Sequence, residues 1–395
     1  RRFPVFLLQG TQQIFFAQTV NYDTQASAKG HAFMNKKLLL AHFSNATARD
    51  WSNWRWQMKN RITSPARLLE VLHGPAARLA ESCRVVTLYP MAITPYYLSL
   101  AGQDENDPIA AQCIPDIREV TLEDPAADDP LNEDGCMPVP KLIHRYPDRA
   151  LAIVTKTCAT YCRHCNRKRF WIARQTTSLK KRMDQMTRYV AASPDIREVI
   201  LSGGDPLVYD DEKLDYMLSR FTAIPHVKIL RIGSRAPVVM PMRITKDLCR
   251  MLKRYRPLWF NTQFNHPAES TPEAARACEM LLECGIPVSN QSVLLKGIND
   301  TQQVMGNLVH GLQKISVRPY YLFHCEPVRG CIHFRTDLSS GLALMESLRE
   351  NCSGLALPQY VADLPGDAGK IPLLGLSESI KKNLKKHQDF FDFFE

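Results

Sequence analysis

The sequence predicts an α/β fold, a series of six βα units behind an N-terminal helical region. Three observations carry this. Apolar β-type runs recur at ALAIVTK (150–156), REVILSGGD (197–205), VKILRIGSR (227–235), LWFNTQFNHP (258–267), PVSNQSVLL (287–295) and RPYYLF (318–323). After a first gap of about 47 residues, their starts lie about 30 apart. Helix-type segments such as TPEAARACEMLLECG (271–285) fill the intervals. That period is the length of one βα unit and implies parallel strands joined by right-handed crossovers. Six units are too few to close an eight-stranded barrel.

Ahead of the first unit, residues 50–90 read as helical. DWSNWRWQMKNRI opens on Asp50, a residue able to cap, and Trp51, Trp54 and Met58 recur at helical spacing. Residues 103–141, rich in Pro and Asp, read as an extended connection. The expected organisation is an N-terminal extension (1–33, with Met34 as the expected native start), a helical region and connection (34–143), the βα series (144–355) and a C-terminal segment (356–395). The tail KKNLKKHQDFFDFFE (381–395) reads as a solvated helix end with an apolar face.

Composition bounds the function. The 395 residues are 45% hydrophobic and 23% charged, as in a globular chain with a sizeable core, and no apolar run of about 18 residues predicts a membrane helix. The net charge of +10 is spread along the chain and names neither a nucleic acid nor a membrane as partner. Twelve cysteines at mostly irregular spacing fit a reducing, cytoplasmic setting better than a disulfide framework.

Chemistry concentrates at TKTCATYCRHCNRKRF (155–170), where Cys158, Cys162 and Cys165 follow the first strand. A structural zinc site takes four ligands, usually as two separated pairs. Three thiolates on one loop suit an iron–sulfur cluster with one iron left open, although zinc with a distant fourth ligand such as Cys136 is an alternative. The surrounding cations are placed to face anionic ligands. The spacing is also that of radical S-adenosylmethionine (SAM) enzymes. At the next strand end, Ser202, Gly203, Gly204 and Asp205 combine glycines that permit close backbone approach with polar side chains. Near the C-terminus, VADLPGDAGKIPLLG carries Lys370 in a Pro/Gly-rich loop, either as a solvated residue or as the attachment point of pyridoxal phosphate (PLP). Arg145, Tyr146 and Arg149 in HRYPDR are surface charge or a phosphate cradle.

Together these segments resemble the lysine 2,3-aminomutase family of radical SAM, PLP-dependent enzymes. The resemblance runs from about residue 50 to 375 and rests on WRWQMKNRI, HRYPDR, CATYCRHCNRKRF, SGGDPL, FNHP, NQSVLLKGIND, RPYY, HFRT and the PGxxGK loop, in that order. It implies a partial (βα)6 TIM-like barrel of the radical SAM type with a C-terminal PLP-lysine segment. It implies a [4Fe-4S] cluster on Cys158, Cys162 and Cys165, SAM at Ser202–Asp205, and PLP on Lys370 with its phosphate at Arg145, Tyr146 and Arg149. Gln291 would be a polar contact near the cofactors, Arg167 would bind the substrate α-carboxylate, and Glu326 and Asp363 would face a cationic side chain. The implied activity moves the α-amino group of L-lysine to the β-carbon. Arginine or another amino acid as substrate, and the lysine-modification branch acting on elongation factor P, are alternatives; a non-catalytic zinc or redox protein is the rival from another class. An external electron donor such as flavodoxin or ferredoxin and a homo-oligomeric state are implied as well.

Four departures stand against the family pattern. Gln263 replaces a typical His, and Asp367 enters a loop that is otherwise more glycine-rich. Glu326 stands where an aspartate is usual, and Thr301 replaces a cysteine that in some members joins a zinc site. With no cysteine after Lys370, no zinc is expected.

Overall fold

The computed structural model describes residues 39–375 apart from 41, 44–45, 73–75, 103, 105, 123–125 and 173–176. The N-terminal extension with Met34 and the tail at 381–395 lie outside the described residues.

One nine-stranded sheet runs in sequence order: β1 (Leu142–Tyr146), β2 (Arg149–Thr155), β3 (Glu198–Gly203), β4 (Ile229–Gly233), β5 (Leu258–Thr262), β6 (Val288–Leu294), β7 (Arg318–His324), β8 (Gln359–Leu364) and β9 (Gly369–Pro372). Strands β2 to β8 are parallel, and β1 and β9 pair antiparallel at the two ends. The six expected runs are β2 to β7. The seventh parallel strand, β8, was not expected: QYVADL runs into Pro365 and Gly366 and reads as loop, yet all but its first residue are buried. Lys370 accordingly stands on a short strand, not in a loop.

Helices follow the strands on the outer face. Leu179–Ala191, Asp211–Thr222, Lys246–Lys253, Pro272–Glu283 and Gln302–Lys314 are amphipathic, each turning a row of apolar residues to the sheet. Each starts at a Ser, Thr or Asp whose side chain accepts a first-turn N–H, as helix starts prefer. Thr301, at the position of the missing cysteine, is one of these caps.

The N-terminal region is helical as expected, with short helices at Ala48–Trp51 and Trp54–Lys59 and longer ones at Pro65–Leu72 and Ala76–Leu88. Thr47 is the cap of the first, with Asp50 returning the bond from its third position, a reciprocal capping box. Trp51 is buried in the main core and Trp54 and Met58 pack against it. The stretch at 103–141 is not simply extended: it holds helical turns at Pro108–Cys113, Arg118–Thr121 and Asp134–Cys136.

The sheet does not close by strand pairing; side chains bring its ends together. Arg145 on β1 donates from Nε to the Gly366 carbonyl (2.7 Å), contacts the Leu364 carbonyl, and meets Asp363 at 3.2 Å. Tyr146 accepts the Lys370 backbone N–H at 2.9 Å. This approach requires glycine at 369, where φ is +64° and a Cβ would lie 2.7 Å from the Tyr146 hydroxyl.

Candidate active site

The parallel strands end around a cavity of about 570 Å³, within the range of cofactor sites. Every residue singled out as a site candidate lines it: the three cysteines, Ser202 to Asp205, Arg145, Tyr146, Arg149, Arg167, Gln291, Glu326, Asp363 and Lys370. Gln263 lines it too.

Cys158, Cys162 and Cys165 occupy a loop gripped by the N-terminal region. Arg61 donates to the Cys158 carbonyl (2.7 Å), Tyr161 N–H to the Ala92 carbonyl (2.9 Å) and Arg163 N–H to the Gln112 carbonyl (2.8 Å). Burial, followed by the neighbouring Cys165, pushes the Cys158 thiol up. Burial and Cys162 push Cys165 up to about 12. Among the described residues, no three His, Cys, Asp or Glu side chains close around a single-ion position. Three sulfurs lining one cavity, near enough to affect one another, fit donors to separate irons of a cluster.

The cations of this loop are held by buried glutamates that sequence reading did not single out. Glu119 receives Arg163 through both oxygens (2.8 and 2.6 Å) and Lys168 at 2.7 Å, all three side chains essentially inaccessible. Burial works to raise the Glu119 carboxyl, but Arg163 and Lys168 outweigh it and hold it low. Glu133 receives Arg167 from Nε and a terminal nitrogen (3.0 and 2.6 Å) and Arg169 at 3.1 Å. There too burial opposes, and Arg167 followed by Arg169 holds the carboxyl at about 2. Both acids come from the stretch read as a connection, and no local pattern marks them, because their partners lie 34 to 49 residues away.

Gly203 and Gly204 are demanded by another strand end. A Cβ on either would lie 2.4 Å from a carbonyl oxygen, Thr155 for Gly203 and Thr157 for Gly204. They let β3 tuck against the start of the cysteine loop, with Gly204 N–H on Thr155 O (2.7 Å) and Asp205 N–H on Thr157 O (2.9 Å). Asp205 is buried and internally bonded, accepting from the Ser234 hydroxyl (2.7 Å) and the Leu207 and Arg235 N–H groups (both 2.9 Å). Its carboxylate thus braces the neighbouring strand end while the turn itself borders the cavity. That turn leaves backbone and Ser202 on the cavity wall, which fits a small polar group such as the methionyl end of SAM.

On the opposite wall, Asp363 and Lys370 are cross-strand partners in the β8–β9 hairpin, with Nζ to Oδ2 at 3.0 Å. The Lys370 ammonium lies 5.4 Å from the Tyr146 ring centre and 5.7 Å from that of Phe323. Arg149 stacks at 3.7 Å on the other partner of this group, the Tyr146 ring, and pairs with Asp148. The guanidinium of Arg145, expected at a phosphate, is committed to the hairpin carbonyls and Asp363 in this structure. A lysine reaching a cavity beside an aromatic ring with Arg149 on its face fits PLP, whereas Arg145 as it stands serves the hairpin and not a phosphate. The Asp367 side chain lies outside what is described.

Glu326, buried beyond the end of β7, has its carboxyl pushed up to about 7, by burial first and then by the Asp363 carboxylate. A carboxyl that is protonated more readily in the fold than its ordinary 4.5 contributes stability below about pH 4.5, and loses it as pH rises through about 7. Glu326→Gln is therefore expected to raise the melting temperature of the cofactor-free protein at pH 8 by a few degrees, corresponding to at most about 3 kcal/mol. The gain should vanish near pH 4.5; equal melting curves at both pH values would show that the acid pair is not strained.

No helix among the described residues is long and apolar enough to cross a membrane. The pattern of the Radical SAM superfamily matches residues 152–305, spanning β2 to the helix before β7. The chain is 47% identical over 333 residues to the L-lysine 2,3-aminomutase of Fusobacterium nucleatum, covering 84% of this chain and 78% of that one. With the L-lysine 2,3-aminomutase of Acetoanaerobium sticklandii the identity is 48% over 335 residues (84% and 80%). With the glutamate 2,3-aminomutase of Clostridioides difficile it is 41% over 341 residues (86% and 80%).

Proposed function

The chain belongs to the lysine 2,3-aminomutase family of radical SAM enzymes, and from that premise we propose that it converts L-lysine to β-lysine with a [4Fe-4S] cluster, SAM and PLP. The observation that carries the choice of lysine is the buried pair Glu326 and Asp363, facing the cavity beside Lys370. Two acids on one wall match a cationic side chain and would repel the second carboxylate of glutamate.

When bound, the cluster and SAM would supply a carbon-centred radical for hydrogen abstraction, and PLP an extended π-system on the migrating nitrogen. The chain's own residues bind and orient. Lys370 would hold PLP, with Tyr146 and Arg149 toward its phosphate; Arg145 would join them only by giving up its bonds to the hairpin carbonyls and Asp363. Asp363, whose Oδ2 faces Lys370 while Oδ1 meets Arg145, would take the substrate's side-chain ammonium together with Glu326. Arg167 is gripped by Glu133 through Nε and one terminal nitrogen, which leaves its other terminal nitrogen for the substrate α-carboxylate. Cys158, Cys162 and Cys165 would hold the cluster, Ser202 to Asp205 would border SAM, and Gln291 would contribute a polar contact near the cofactors. An external one-electron carrier supplies the reducing equivalent.

The test is anaerobic turnover of protein reconstituted with iron, sulfide, PLP and SAM, using isotopically labelled lysine, arginine and glutamate in separate reactions. β-Lysine as the dominant product by mass spectrometry is expected. Preferential turnover of glutamate or arginine would overturn the assignment of substrate while leaving the family intact.

A further inference from the structure

Arg235, at the end of β4, is a buried cation whose role the substrate reading does not use. Its two edges face different ways. One terminal nitrogen reaches Glu269 (2.6 Å), Gln112 (2.6 Å) and the Tyr97 hydroxyl (3.0 Å), and Nε reaches the Gln263 carbonyl at 3.1 Å. The other terminal nitrogen lies 2.8 Å from Sγ of Cys162. Glu269 is fully buried and saturated: it also accepts from the Tyr97 hydroxyl and from the Asn265 and His266 N–H groups. The guanidinium is thus anchored on one side by groups from three separate segments and aimed on the other at a cysteine sulfur.

We propose that Arg235, positioned by Glu269, donates a hydrogen bond to the Cys162 thiolate of the iron–sulfur cluster and raises the cluster's reduction potential. Reduction adds one negative charge to the cluster, delivered by an external one-electron carrier. A donor on a ligand sulfur draws electron density away and stabilises that reduced form. In a buried site the interaction is weakly screened, and a charge-assisted bond is stronger than a neutral one. Because Glu269 offsets the charge of Arg235, the directed N–H···S bond is the larger share of the effect. The inference depends on the family's cluster and not on lysine as substrate.

The experiment is a redox titration of the reconstituted cluster, followed by electron paramagnetic resonance, without SAM, PLP or amino acid. Arg235→Gln is expected to make reduction at least tenfold less favourable, a downward shift of about 59 mV for a one-electron couple. Arg235→Lys, which keeps charge but not the fork, should fall between that variant and the wild type. Arg61→Gln, which removes a guanidinium bonded to the Cys158 carbonyl but to no cysteine sulfur, should shift the potential less. An unchanged potential in cluster-loaded Arg235→Gln, or an equal shift in Arg61→Gln, overturns the proposal. Should Arg235→Gln not retain iron, Arg235→Lys decides alone: a lowered potential supports the bond and a wild-type value overturns it. Since no turnover is measured, failure here is distinguishable from an error in the proposed substrate.

Discussion

Lys370→Ala is expected to reduce turnover by about a thousandfold or more and to yield protein that keeps its iron but no longer retains PLP. The loss should be chemical, not structural. The backbone of Lys370 is held by β8 pairing and by the Tyr146 hydroxyl, neither of which the side chain supplies. Its ammonium pairs with Asp363, which keeps Arg145 at 3.2 Å when the lysine is gone. Lys156 also lines the cavity, at the other end near the cysteine loop, and makes the control: Lys156→Ala should keep PLP. Cofactor absorbance, iron content and product formation measured on both variants separate the outcomes. If Lys370→Ala retained PLP and turned over while Lys156→Ala lost both, the assignment would move to Lys156.

The second large effect is on stability. Glu119→Gln is expected to cost about 3–5 kcal/mol, the range for breaking a buried ion pair by removing one partner. Glutamine keeps the shape of glutamate but leaves Arg163 and Lys168 buried with no counter-charge, and neither side chain has a path to water. For a chain of this length the loss lowers the melting temperature by about 4–7 °C. Because both cations belong to the cysteine loop, iron retention after reconstitution should fall in parallel. An exposed control such as Glu279→Gln, whose pair with Arg276 is solvated, should stay within about 0.5 kcal/mol of the wild type. A Glu119→Gln protein as stable as that control would show that the triad contributes nothing to the fold.

Strand identity was legible wherever it is written in short range. The runs that became β2 to β7 announce themselves by β-branched and aromatic residues, and their spacing implies the crossovers between them. β8 was hidden because Pro365, Gly366, Gly369 and Pro372 crowd the residues after it, so that the hairpin looks like a loop until its burial is known. The three cysteines and Lys370 could be found because their spacing or their setting is local. Glu119, Glu133 and Glu269 could not: each is an ordinary charged residue in sequence, given its role by a partner from a distant segment.

The sequence by itself determined the βα rhythm, the three-thiolate loop and the family to which they belong. These are properties of residue type and local spacing. Only the tertiary structure decided how the charges are spent: which glutamate neutralises which cation of the cysteine loop, that Arg145 clasps the Lys370 hairpin, and that Arg235 points at a cysteine sulfur. The reason is physical. Coulomb and hydrogen-bond energies in a buried site depend on separations of a few ångströms, and here those separations are set by chain folding between residues tens to hundreds of positions apart.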